Sequence, residues 1–117
     1  MYVLGDGEKL ARVFDNLITN ATYYGKDGKY IDISASEIDE MVVITITNYG
    51  EPIPSTDLPH IFDRFYRAEK SRSKHTGGSG LGLAIAKSII THHGGSIEAE
   101  SNVECTSFTV KLEKQNN

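Results

Sequence analysis

Leu10, Val13, Phe14, Leu17, Ile18 and Ala21 fall at i, i+3, i+4, i+7, i+8 and i+11. A helix turns that spacing into one apolar face; a strand does not. Such a face must be buried, so the rest of the chain has to supply a layer to pack against it. Asp6 is placed to cap this helix, and the stretch 25–28, which holds Gly25 and Gly28, ends it. The period then changes. Ile31, Ile33 and Ala35 alternate with polar residues, and Val42, Ile44 and Ile46 do the same. These runs predict two strands joined by a polar turn around 38–40. Pro52 and Pro54 break the chain, and Leu58, Ile61, Phe62 and Phe65 predict a short second helix. Residues 67–79 carry no apolar period and include Gly77 and Gly78, so they read as a loop. Leu81, Ile85, Ser88 and Ile89 share one face of a third helix that stops at Gly94 and Gly95. Ile97 and Ala99 mark one further strand; Thr106, Phe108, Val110 and Leu112 mark the last.

This order predicts one domain over 1–117 with an α+β fold, a two-layer α/β sandwich. Its sheet is mixed and mostly antiparallel, with three helices on one face. The first helix begins so early that a preceding strand is expected to be missing. A single cysteine, Cys105, excludes an internal disulfide and a cysteine-based metal site, and fits a reducing compartment. The chain holds no signal peptide and no apolar run long enough to span a bilayer. The net charge of -4 gives no global argument for nucleic acid or an anionic membrane. Locally, Arg64, Arg67, Lys70, Arg72 and Lys74 crowd together in front of glycines. Such a basic loop either holds an anionic ligand or is simply solvated.

Three polar features stand against the apolar pattern. Asn16 and Asn20 stack at i, i+4 beside the first helix's apolar stripe. Their carbonyl oxygens are hard donors suited to Mg²⁺; the alternative is hydrogen bonding to neighbouring backbone. Asn48 shares parity with Val42, Ile44 and Ile46, so it points to the buried face, where an amide needs partners. It either meets the edge of an adenine or starts the turn that follows. Gly77-Gly78-Ser79-Gly80-Leu81-Gly82-Leu83 opens the third helix, where close backbone approach and free N–H groups suit phosphate. It lacks the Gly-Lys-Ser/Thr of a P-loop, and no strand precedes it as in a dinucleotide fold.

Taken in order, these segments resemble the ATPase superfamily shared by histidine kinases, DNA gyrase, Hsp90 and MutL proteins, with a Bergerat-type ATP-binding fold. Asp15-Asn16-Leu17-Ile18-Thr19-Asn20-Ala21 is similar to its N box, and Asn48-Tyr49-Gly50 to its G1 box. Ile61-Phe62-Asp63-Arg64-Phe65-Tyr66-Arg67 is similar to the F box of sensor histidine kinases, and 78–86 to the G2 box. Ala99-Glu100-Ser101-Asn102, followed by Thr106-x-Phe108-x-Val110, resembles the sensors of vancomycin-resistance systems.

The resemblance implies roles at matching positions. Asn20 is the Mg²⁺ ligand, supported by Asn16, and Arg67 joins these two in catalysis. Tyr24, Asn48, Gly50, Ile53 and Thr106 surround the adenine. Gly78, Gly80, Leu81, Gly82 and Leu83 face the phosphates, while Lys70 and Arg72 reach them from a lid over 67–74. The cofactors implied are ATP and Mg²⁺. The partners implied are the dimerisation and phosphoacceptor helices of a parent kinase and a downstream response regulator. No nucleic acid partner is implied. The piece itself is expected to be monomeric and cytoplasmic, its parent a homodimer in the bacterial membrane. The phosphoacceptor segment is expected to be absent, since His60, His75, His92 and His93 all lie in other contexts.

The chain also departs from the family pattern. Asn48 stands where Asp is usual, Pro52 where the second G1 glycine is usual, and Cys105 where a glycine commonly precedes the late threonine. Tyr23 stands where the family often has Lys. Three alternatives share the fold: an ATP hydrolase, a nucleotide-sensing module without catalysis, and an anti-sigma-type serine kinase. The hydrolases place a glutamate at the position of Asn16, and the F box argues against the serine kinase.

Overall fold

The computed structural model describes residues 2–24, 31–50, 52–64 and 82–115. Helix α1 (Gly7–Tyr24) starts where expected: Asp6 Oδ1 accepts the Lys9 N–H at 3.1 Å, and the Asp6 carbonyl accepts the Leu10 N–H at 2.9 Å. Of its predicted stripe, Val13, Leu17 and Ala21 are fully enclosed, Leu10 and Phe14 are partly buried, and Ile18 is exposed.

Strands β1 (Ile31–Ile38) and β2 (Met41–Asn48) form a hairpin. Asp39 and Glu40 turn it with φ of 50° and 66°. Two positive φ values in a two-residue loop define a type I′ turn, whose twist matches the paired strands. A Leu58–His60 segment follows, then α2 (Gly82–His92), β3 (Ser96–Ser101) and β4 (Thr106–Glu113). The sheet order is β1-β2-β4-β3, and all three pairings are antiparallel. Among the described residues the expected mixed character is therefore absent: each neighbouring pair runs in opposite directions.

The predicted second helix is corrected. Leu58–His60 is a three-residue 3-10 turn, not an α-helix. Pro59 has no N–H to donate, and the bonds that form span three residues: His60 N–H to the Asp57 carbonyl and Asp63 N–H to the His60 carbonyl, each at 2.9 Å. Two α-helices and this turn, rather than three helices, cover the sheet among the described residues. Phe65, the last residue assigned to that helix, lies outside them.

Helix α1 packs on α2 and β2, and α2 packs on β3. Buried Leu17, Ile46, Ile90, Phe108 and Val110 form the centre between the layers. Strand β1 is left at the rim. Ile33 pairs across from buried Ile46 yet is 57% exposed, so alternation located the strand without marking a buried face.

The end of α2 explains its two glycines. Gly95 N–H reaches back to the Ile90 carbonyl and Gly94 N–H to the Thr91 carbonyl, with Gly94 at φ 76°. This is a Schellman closure, which favours glycine at the positive-φ position. Gly95 is needed for a different reason: a Cβ there would collide with the Lys111 carbonyl on β4. Just before it, His93 Nδ1 lies 2.8 Å from the Ile89 carbonyl, and its Nε2 accepts the Asp6 N–H at 3.0 Å. His93 thereby links the cap of α1 to the end of α2.

Candidate functional site

Both N-box amides are half-buried on α1. Asn16 Nδ2 donates to the Gly82 carbonyl at 3.0 Å, tying α1 to the first residue of α2. This is the backbone-bonding alternative for Asn16, and the contact places it directly against the glycine-rich helix start. Asn20, one turn on, is half-buried, and its Oδ1 is buried with no hydrogen-bond partner among the described residues.

Asn48 ends β2 and is 1% exposed. Parity put it inside, but among the described residues the partners expected of a buried amide are missing: neither Oδ1 nor Nδ2 has one. A buried polar group left in that state costs about 1–3 kcal/mol. Asn48 sits on the side of β2 that α1 packs against, in parity with buried Val42 and Ile46.

The cross-strand partner of Asn48 is Thr106, also buried at 2%. Thr106 Oγ1 lies 2.6 Å from Ser101 Oγ, and Ser101 Oγ accepts the Ile53 N–H at 2.8 Å. One serine at the end of β3 thus fastens the Pro52–Pro54 turn to β4 beside Asn48. Sequence reasoning did not assign Ser101 to the site. The available signal was parity, because Ser101 follows Ile97 and Ala99 on the helix-facing side of β3. The same turn is held from the other side, where the Tyr49 hydroxyl donates to an Asp32 carboxylate oxygen at 2.6 Å. Ile53 is buried and Gly50 half-buried, so both expected positions lie in this folded turn.

The described part of the F box anchors on the same strand. Phe62 meets Phe108 edge to face, with centroids 6.0 Å apart and planes at 86°. The Lys87 ammonium of α2 sits 5.6 Å from the Phe62 ring centre. Gly82 and Leu83 form the first turn of α2, half-buried, with Asn16 alongside. Arg67, Lys70, Arg72, Gly78, Gly80 and Leu81 lie outside the described residues, as does the side chain of Tyr24. Among the described residues no group of three or more His, Cys, Asp or Glu could hold a metal ion. Asn20 Oδ1 suits Mg²⁺, which prefers hard oxygen donors.

Comparison with known proteins shows the family and the fold. Residues 5–116 match the model of the "Histidine kinase-, DNA gyrase B-, and HSP90-like ATPase" family. The chain is 52% identical over 110 residues to the sensor protein VanS of Enterococcus faecium, covering 94% of this chain and 28% of that protein. It is 43% identical over 103 residues to the sensor histidine kinase WalK of Bacillus subtilis, covering 86% of this chain and 17% of that one. The solved mycobacterial sensor histidine kinase MprB superposes with a TM-score of 0.85 at 30% identity, covering 98% of this chain and 78% of that one.

The chain belongs to the histidine kinase-, DNA gyrase B- and HSP90-like ATPase family, as a catalytic domain of the sensor histidine kinase type. It spans under a third of the length of these curated relatives. Among the described residues no helix is long and apolar enough to cross a membrane.

Proposed function

We propose that this domain binds Mg-ATP between α1, α2 and the sheet, and transfers the γ-phosphoryl group to a histidine on a separate dimerisation segment. The observation that carries this is that, among the described residues, the buried amide of Asn48 and the buried Oδ1 of half-buried Asn20 have no hydrogen-bond partner. Asn48 would meet the adenine, flanked by Thr106, Ile53 and Gly50, with Tyr24 against the base. Asn20 would hold Mg²⁺, which when bound neutralises phosphate charge. The start of α2 at Gly82 and Leu83, with Gly78, Gly80 and Leu81 before it, offers N–H groups to the phosphates. Arg67, Lys70 and Arg72 would complete the charge neutralisation.

Phosphoryl transfer asks little covalent chemistry of the protein. A nitrogen of the acceptor imidazole attacks the γ-phosphorus, the bond to the β-phosphate bridging oxygen breaks, and ADP leaves. What the domain supplies is position and charge. A hydrolase would also need a group to activate water. Asn16 is no base, and its amide is committed to the Gly82 carbonyl; neighbouring Asp15 is exposed on α1. Both facts favour transfer over hydrolysis.

The parent protein is proposed to be a membrane-bound homodimeric sensor kinase with this domain on the cytoplasmic side, signalling to a response regulator. The 52% identity to VanS supports a role in vancomycin resistance. Calorimetric titration with a non-hydrolysable ATP analogue tests the site. Binding should strengthen with Mg²⁺ and lose that gain in Asn20→Ala. Equal affinity of both proteins in Mg²⁺, with the fold intact, would contradict the assignment.

A further inference from the structure

We propose that Asn48 lets the base pocket accept both 6-amino and 6-oxo purine nucleotides, an inference that rests on the nucleotide reading above. Asn48 is 1% exposed, and among the described residues neither of its amide atoms has a partner. The residues opposite it in the sheet give no reason for one amide orientation over the other. On β1 its partner is Ile31, which has no polar side chain. On β4 its partner is Thr106, whose hydroxyl is 2.6 Å from Ser101 Oγ. Ser101 in turn is held by the Ile53 N–H.

An asparagine amide is close to symmetric in shape, and its terminal torsion is broad and roughly two-fold. A half-turn exchanges acceptor and donor without moving the backbone. In one orientation Oδ1 accepts from the exocyclic amino group of a 6-aminopurine while Nδ2 donates to the adjacent ring nitrogen. In the other, Nδ2 donates to the oxygen of a 6-oxopurine while Oδ1 accepts from its ring N–H. A carboxylate at this position offers acceptors alone, so it pairs with the amino group and repels the oxo group. The substitution of Asn for the usual Asp therefore removes the penalty against the second class of purine.

The test compares ATP with inosine triphosphate, which carries the oxo edge and lacks the 2-amino group of guanine. Calorimetry on the whole chain with Mg²⁺ should give affinities within about threefold of each other, since one amide serves both edges. In Asn48→Asp the ratio of ATP to inosine triphosphate affinity should rise at least tenfold. If that variant does not fold, the wild-type ratio still decides, together with the Asn48 side-chain amide resonance, which should shift with both nucleotides. Guanosine triphosphate binding more weakly than inosine triphosphate would trace that difference to the 2-amino group and support the edge reading. Wild type binding ATP but rejecting inosine triphosphate by tenfold or more would overturn this inference alone. Failure to bind ATP at all would overturn the nucleotide reading and this inference with it.

Discussion

Asn16 of α1 and Gly82 of α2 are joined by one hydrogen bond of 3.0 Å, from the side-chain amide to the backbone carbonyl. The bond couples the N-box helix to the glycine-rich helix start, the two elements that must hold fixed positions if phosphates are to sit between them. Asn16→Ala should lose about 1 kcal/mol of stability. Asn16→Asp should lose more, because a carboxylate would face the carbonyl with no donor. Urea denaturation of the three proteins checks the order; equal midpoints would mean the bond contributes nothing.

Ser101 carries two contacts at once, to the Ile53 N–H and to Thr106 Oγ1. Ser101→Ala leaves the Ile53 N–H without its acceptor, at a cost of about 1–3 kcal/mol. It should also loosen the turn beside Asn48, so ATP affinity should fall severalfold. Denaturation and nucleotide titration on the same sample separate the two effects. Unchanged affinity in a folded variant would make Ser101 structural only.

The hairpin turn holds two residues with side chains at positive φ, Asp39 and Glu40. Asn-Gly suits a type I′ turn better. The pair of changes Asp39→Asn and Glu40→Gly should raise stability by about 1 kcal/mol. The turn closes the end of the hairpin opposite Asn48, so nucleotide affinity should stay the same. A thermal melt and a titration decide both points.

The glycines ending α2 should respond differently. Gly94→Ala meets a positive φ but open space, and should cost about 1 kcal/mol. Gly95→Ala drives a methyl into the Lys111 carbonyl, with Leu112 and Ile90 close by. Overpacking against backbone should cost about 3 kcal/mol. Similar losses in the two variants would show that the sheet yields at Lys111.

Periodicity carried most of the fold. The stripe from Leu10 to Ala21 and the alternation through Ile46 and Phe108 located α1, β2 and β4, because each element has one face in the core. It failed where burial and period part company. Ile33 alternates correctly but sits on a rim strand. Leu58, Ile61 and Phe62 carry a helical spacing that Pro59 turns into a tight 3-10 segment. Asn48 was legible as a buried amide through parity, though not as one with both atoms unpaired among the described residues, since partners depend on what folds around it. Ser101 stayed hidden because its contacts depend on the fold: Ile53 is 48 residues away, and Thr106 is met across the β3–β4 pairing.

The domain is proposed to be a phosphoryl donor that waits for its acceptor. Incubating the chain with γ-labelled ATP and Mg²⁺, then adding the dimerisation segment of the proposed parent, tests this. The expected outcome is no label on the domain, negligible phosphate release by it alone, and label on the added segment as an acid-labile phosphohistidine. Steady phosphate release without the segment, abolished by Asp15→Asn, would contradict it in favour of a hydrolase. Nucleotide binding with no label on the segment would contradict it in favour of a sensing module.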